Sequence, residues 1–125
     1  MEHQELLVGL IRLHVLHHAA EEEIYGQWIM EELGRHGYRL SPGTLYPMLH
    51  AMEKRGYLRS REKKSGRSVR RLYRATSKGV KALDAAKEKL KELVGELFED
   101  PERACRGQSD DSNAIRPGRT QGERR

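Results

Sequence analysis

Apolar residues recur at three- and four-residue steps along most of this chain. The sharpest case is Leu45, Met48, Leu49 and Met52, one buried stripe of a short helix. Ser41 precedes it in the N-cap position, Pro42 takes the first helical position, and Gly56 follows as a C′ glycine. The stripe leaves Tyr46, Pro47, His50 and Lys54 on the opposite side, with Thr44 near the capped end. Pro47 removes one backbone donor and is expected to distort the helix locally.

Three further helices frame this one. Residues from Glu2 to about Ala20 carry Leu6, Leu7, Leu10, Ile11, Leu13, Val15 and Leu16, apolar over more than one face, so this helix should pack against two neighbours. Glu21, Glu22 and Glu23 mark the next boundary, with their charge favourable at a helix start. A second helix is predicted from about Ile24 to His36, with Gly26 placed to let another helix approach and Gly34 and Gly37 ending it. Tyr38-Arg39-Leu40 could add a short rung to a small sheet. The last helix, from Ser77 to about Glu99 with Thr76 as its cap, carries Val80, Leu83, Leu90, Val94 and Leu97 in a three-then-four repeat broken at Lys87. A seam of that kind suits a dimerisation arm, or packing on the chain's own first helix.

Between the third and last helices the period changes to two. Tyr57 to Glu62 and Val69 to Thr76 read as strands, joined by the turn-rich Lys63-Lys64-Ser65-Gly66-Arg67-Ser68. On the second strand Val69, Arg71, Tyr73 and Ala75 share one side, and Arg70, Leu72 and Arg74 the other. Arginines and lysines occupy positions 59, 61, 63, 64, 67, 70, 71 and 74, and Glu62 alone opposes them. This local excess is larger than the net charge of the whole 125-residue chain, +5, so the remainder is slightly acidic. Like charges packed this closely repel unless something anionic neutralises them, which points to phosphate.

Three helices, a two-stranded basic hairpin and a final helix make a winged helix-turn-helix: mostly α, with N- and C-terminal dimerisation helices at residues 1–20 and 77–99. The DNA-binding core is residues 24–76 and its wing residues 57–76. In that geometry the helix from Pro42 enters the major groove, and the wing arginines and lysines track phosphates or reach a minor groove. The expected DNA contacts are Ser41, Pro42, Gly43, Thr44, Tyr46, His50 and Lys54 on the helix, and Lys63, Lys64, Arg67 and Arg70 on the wing. Expected dimer contacts are Leu6, Leu10, Leu83, Leu90, Val94 and Leu97. Trp28, the one tryptophan, either packs on the first helix or stacks on a flat ligand beside a dimer crevice.

The runs Tyr25-Gly26, Ser41-Pro42-Gly43-Thr44-Leu45-Tyr46-Pro47-Met48-Leu49, Gly56-Tyr57-Leu58 and Arg70 to Gly79 resemble the PadR family of bacterial transcriptional regulators. The resemblance spans roughly residues 4 to 98 and is closest to the short form with a single C-terminal helix. It implies a homodimeric repressor on an inverted-repeat operator in double-stranded DNA, released by a small aromatic or drug-like effector. It also implies DNA contacts at Tyr46, Ser41 to Thr44, and Lys64 to Arg67. The chain departs from the usual pattern at Leu72, where an aromatic is common, and at Ala75, where a larger aliphatic is common.

The remaining features narrow the choice. Hydrophobic residues make up 36% of the chain and charged residues 34%, a balance that suits a small helical protein with an extended surface. A single cysteine, Cys105, excludes an internal disulfide and a multi-cysteine zinc site, and fits a reducing cytoplasm. No apolar run approaches a membrane span, and the acidic N-terminus is unlike a signal peptide. His14 and His18 are four apart, as a metal pair would be, but packed imidazoles are the preferred reading, and neither metal nor cofactor is expected. No nucleophile–base pair or phosphate-cradling glycine loop suggests an enzyme. Residues 100–125 are polar and glycine-rich and read as a disordered tail. The alternative class is a winged helix that docks on an acidic protein or binds RNA through its basic hairpin.

Overall fold

The computed structural model describes residues 3–99. The predicted tail and Cys105 lie outside them. The elements run α1 (Gln4–Glu21), β1 (Ile24–Tyr25), α2 (Gly26–Arg35), α3 (Pro42–Lys54), β2 (Leu58–Ser65), β3 (Ser68–Ala75) and α4 (Ser77–Leu97). The chain divides into two compact units within α4, after Lys87.

In the first unit α1, α2 and α3 surround one core. Ile11, Val15 and Ala19 of α1, Ile29 and Leu33 of α2, and Leu45 and Leu49 of α3 are completely buried. Met48 and Met52 complete the α3 stripe, and Leu58 and Tyr73 close the core from the sheet. Of the two departures from the usual pattern, Leu72 is buried and Ala75 half-buried.

The small sheet has the antiparallel order β1-β3-β2. Its short rung is Ile24–Tyr25, paired with Tyr73 and Leu72, and not Tyr38–Leu40 as the sequence suggested. Two requirements decide this. Ile24 needs burial and finds it beside β3, whose second edge is open. Tyr38 is committed elsewhere: its N–H bonds the Leu33 carbonyl at 2.9 Å while the Gly37 N–H bonds Gly34 at 3.0 Å. With Gly37 at φ 88°, this is a Schellman close to α2. Consequently α2 begins at Gly26, later than expected, and α1 runs on to Glu21.

The same close ends α3. Gly56, at φ 88°, donates to Glu53, and Tyr57 donates to Met52. The start of α3 differs from expectation. Ser41 occupies the cap position but makes no side-chain cap bond; its hydroxyl turns to Thr44 Oγ1, 3.3 Å away. Helix α3 continues unbroken through Pro47. The carbonyl that Pro47 leaves without an N–H is that of Gly43, in the exposed first turn, where water can serve it. Thr76 does cap α4: its Oγ1 accepts from the Gly79 N–H at 3.0 Å. The absence of a side chain at Gly79 lets α4 pass against Tyr57, whose carbonyl oxygen would lie 2.1 Å from a Cβ there.

Leu83 corrects one expectation. It is buried in the core of its own chain, so it is not free to meet a second copy. Leu6 and Leu10 on α1 are exposed, as are Leu93, Val94, Leu97 and Phe98 in the second unit. Leu90 is partly exposed.

Candidate nucleic-acid interface

The exposed edge of α3 carries the side chains that the apolar stripe leaves over. Ser41, Pro42, Gly43, Tyr46, His50 and Lys54 are exposed and Thr44 is half-buried. They lie along one helix, with the burial of Leu45, Leu49 and Met52 fixing its rotation.

Tyr46 is positioned by a glycine on another helix. Its ring crosses the first residue of α2 so closely that a Cβ on Gly26 would stand 2.5 Å from Tyr46 Cε1 and 2.8 Å from its hydroxyl oxygen. The ring therefore lies over the start of α2. Around it, Tyr25, Gly26, Gln27, Val69, Arg70 and Arg71 enclose a cleft of about 290 Å³. The Arg70 guanidinium sits 5.3 Å from the centre of the Tyr25 ring, a cation–π contact that holds it at the cleft. A second, more open groove runs between His50, Ala51, Glu53 and Lys54 of α3 and Arg71 of β3.

The wing is a regular hairpin. Strand pairing runs from Leu58 opposite Ala75 to Ser65 opposite Ser68. Its two-residue tip is Gly66-Arg67, with Gly66 at φ 62°, the position a type II′ turn reserves for glycine. The register sets Arg59 opposite Arg74 and Lys63 opposite Arg70. Like charges directly opposite each other destabilise a hairpin. Two such pairs stand on one face, where Glu23 offsets the Arg59–Arg74 end and the Lys63–Arg70 end is left for an outside anion.

Not every wing cation is available. Arg61 forms a two-pronged bond to Glu23, at 2.7 and 2.8 Å. This guanidinium, foremost by hydrogen bonding, holds the Glu23 carboxyl below its ordinary range. Arg71 donates to Glu62 at 3.2 Å and to the Ser60 hydroxyl at 2.9 Å, and Ser60 in turn donates to Glu53 of α3 at 2.7 Å. That relay ties both wing strands to α3. Lys63, Lys64, Arg67 and Arg70 have no carboxylate partner among the described residues, whereas Arg59 and Arg74 lie near enough to Glu23 to help hold its carboxyl low. The sequence count of eight cations against Glu62 therefore overstated the free charge, because Glu23 lies far along the chain from the residue it neutralises.

Sequence reasoning omitted Tyr25 and Gln27, which line the cleft with Tyr46. It counted Arg59 and Arg74 in the basic cluster but not that they face each other, which only the register shows. Trp28 packs edge-on against His18 of α1, ring centres 5.2 Å apart, which is the packing alternative.

The family model of the PadR-like transcriptional regulators matches residues 15–85, more than half of the chain. The chain belongs to the PadR-like family. Transcriptional regulator Rv3488 of Mycobacterium tuberculosis is 51% identical over 95 residues, covering 76% of this chain and 89% of that protein. Among solved structures, a PadR-like transcriptional regulator from Bacillus cereus superposes with a TM-score of 0.65 at 28% identity, covering 77% of this chain and 98% of that one. A PadR family regulator from Eggerthella lenta superposes at 0.58, also at 28% identity, covering 77% and 91%. The PadR-like family is one of transcriptional regulators, generally non-enzymatic, and the winged-helix fold of this chain is that of its structural neighbours. No helix among the described residues is long and apolar enough to cross a membrane.

Proposed function

We propose that this PadR-like chain is a sequence-specific DNA-binding repressor. Two copies set their α3 helices in successive major grooves, about 34 Å apart on an inverted-repeat operator. The observation that carries the reading is the position of Tyr46, held across the start of α2 and flanked by Arg70. That arrangement offers a hydroxyl and a cation to a single phosphate. Thr44 and His50 face the base edges, Lys54 the backbone, and Lys63, Lys64 and Arg67 supply sequence-independent attraction through the wing.

The proposed dimer uses apolar surface that the chain leaves uncovered. Leu6 is 76% exposed, Leu97 64% and Phe98 78%. Side chains of this size so exposed on two helices suit burial against a second copy. Release of the operator by a small aromatic or drug-like effector belongs to the same proposal.

A mobility-shift assay on the DNA upstream of the protein's own gene, with unrelated duplex as competitor, tests the reading. Retention of one discrete complex under excess competitor supports it. Salt-sensitive but sequence-blind binding overturns it and favours the RNA- or protein-docking winged helix.

A further inference from the structure

Outside the DNA-facing surface, titratable side chains are densest where the end of α1 meets α2. His14 and His18 of α1 face His36 and Glu32 of α2, and His17 lies beside His18. The rings of His14 and His36 stack with centres 4.9 Å apart, and His17 and His18 meet edge-on at the same separation. Neutral imidazoles are metal ligands.

From this geometry we infer that the chain binds a divalent transition-metal ion of the zinc type through His17, His18 and Glu21. One donor atom from each of the three lies within 4.8 Å of the other two. Neighbouring residues on an α-helix diverge by about 100° around the axis. His17 and His18 therefore leave α1 on adjacent faces, and the reach of their rings brings their nitrogens back together over Glu21, the next turn along. His17 Nε2 is 3.7 Å from Glu21 Oε2. On the other side, Glu32 Oε2 is 3.7 Å from His18 Nε2, but Glu32 already bonds His36 and Arg35 and stands outside the converging set.

Zinc–nitrogen and zinc–oxygen bonds are about 2.0–2.2 Å, so donors around one tetrahedral ion are about 3.4 Å apart. The side chains need only small rotamer changes to contract onto it. His17 and Glu21 are exposed and free to move; His18, half-buried against Trp28, anchors the set. Two imidazoles with one carboxylate suit zinc, cobalt or nickel, and lack the all-oxygen set that calcium and magnesium require. The pair four apart, His14 and His18, is not the site. Those rings stack, and it is His17 that converges with Glu21.

The position of Trp28 makes the inference testable without DNA. Cobalt(II) chloride is titrated into the untagged full-length protein in chelator-free buffer while tryptophan fluorescence is followed. Saturable quenching at one cobalt per chain, reversed by zinc, is the expected result. Glu21→Gln changes only an exposed side chain, and should weaken cobalt by about tenfold or more. His17→Gln should do the same. His18→Gln should do so with an unchanged circular dichroism spectrum, and Cys105→Ser should titrate like the parent. Absence of saturation up to about 1 mM metal (weaker than about 4 kcal/mol) overturns the inference. So does parental affinity in both the Glu21 and His17 variants, or loss of binding in Cys105→Ser alone.

Discussion

The ring of Tyr46 on α3 lies across the backbone of Gly26 on α2, with no room between them for even a methyl group. This contact joins the two helices of the helix-turn-helix at the point where the chain presents a hydroxyl to its surroundings. Substituting Gly26→Ala should push the ring aside. Because Tyr46 is partly exposed, the ring can swing, and the fold should survive. Operator affinity should fall about tenfold or more, as misplacing the hydroxyl loses a charge-assisted bond and its neighbours. If the effect passes through Tyr46, Gly26→Ala in a Tyr46→Ala background should cost almost nothing more. Additive losses in that double-mutant cycle would falsify the coupling.

The hydroxyl itself can be isolated. Tyr46→Phe keeps the ring over Gly26 and removes only the oxygen. Loss of one hydrogen bond is worth about 1.5–3 kcal/mol when the partner is charged, as a phosphate is. Fluorescence anisotropy on the mapped operator should show that difference. Affinity equal to the parent's means that the hydroxyl touches no phosphate.

Salt dependence should separate free wing cations from committed ones. Lys64→Ala with Arg67→Ala should lower the slope of log affinity against log salt by about 2 per subunit. Arg61→Ala should lower it by less than Arg67→Ala does, because Arg61 already neutralises Glu23. Equal slopes for the two single variants would show that the ion pair opens on DNA.

Acid should loosen the junction of α1 and α2. Burial, with the neighbouring His36, His18 and His17, holds the His14 pKa below its ordinary value of 6.5. The folded protein then takes up its proton later than the unfolded chain does. Between 6.5 and the lowered folded value the unfolded state binds more protons, so stability falls as pH falls through that window. His14→Gln should flatten this part of the curve. Urea denaturation at steps from pH 7.5 to 5, in a chelating buffer, measures it; an unchanged slope in the variant would assign the effect elsewhere.

The dimer seam is tested at Leu97, which is too exposed for its loss to disturb its own chain. Leu97→Asp should sediment as a monomer and lose cooperative operator binding. A persisting dimer relocates the seam.

Much of this protein was legible as local pattern. The α3 stripe repeats at the helical period, the wing at the strand period, and Gly37, Gly56 and Gly66 stand where left-handed backbone is needed. Each signal comes from residues within a turn or two of one another. The reading failed where a choice depended on distant partners. Ile24–Tyr25 could have begun a helix, but the open edge of β3 claimed it. Ser41 has the chemistry of a cap, yet its hydroxyl found Thr44. Leu83 fitted a seam, and the chain's own core buried it.

The sequence by itself determined the helices, the hairpin and the excess of positive charge, because periodicity, caps and turns act over a few residues. Only the tertiary structure decided which charges are paired and where the Tyr46 ring rests. Those outcomes depend on contacts between side chains brought together by folding, such as Arg61 with Glu23 across 38 positions. No period in the chain encodes a contact of that kind.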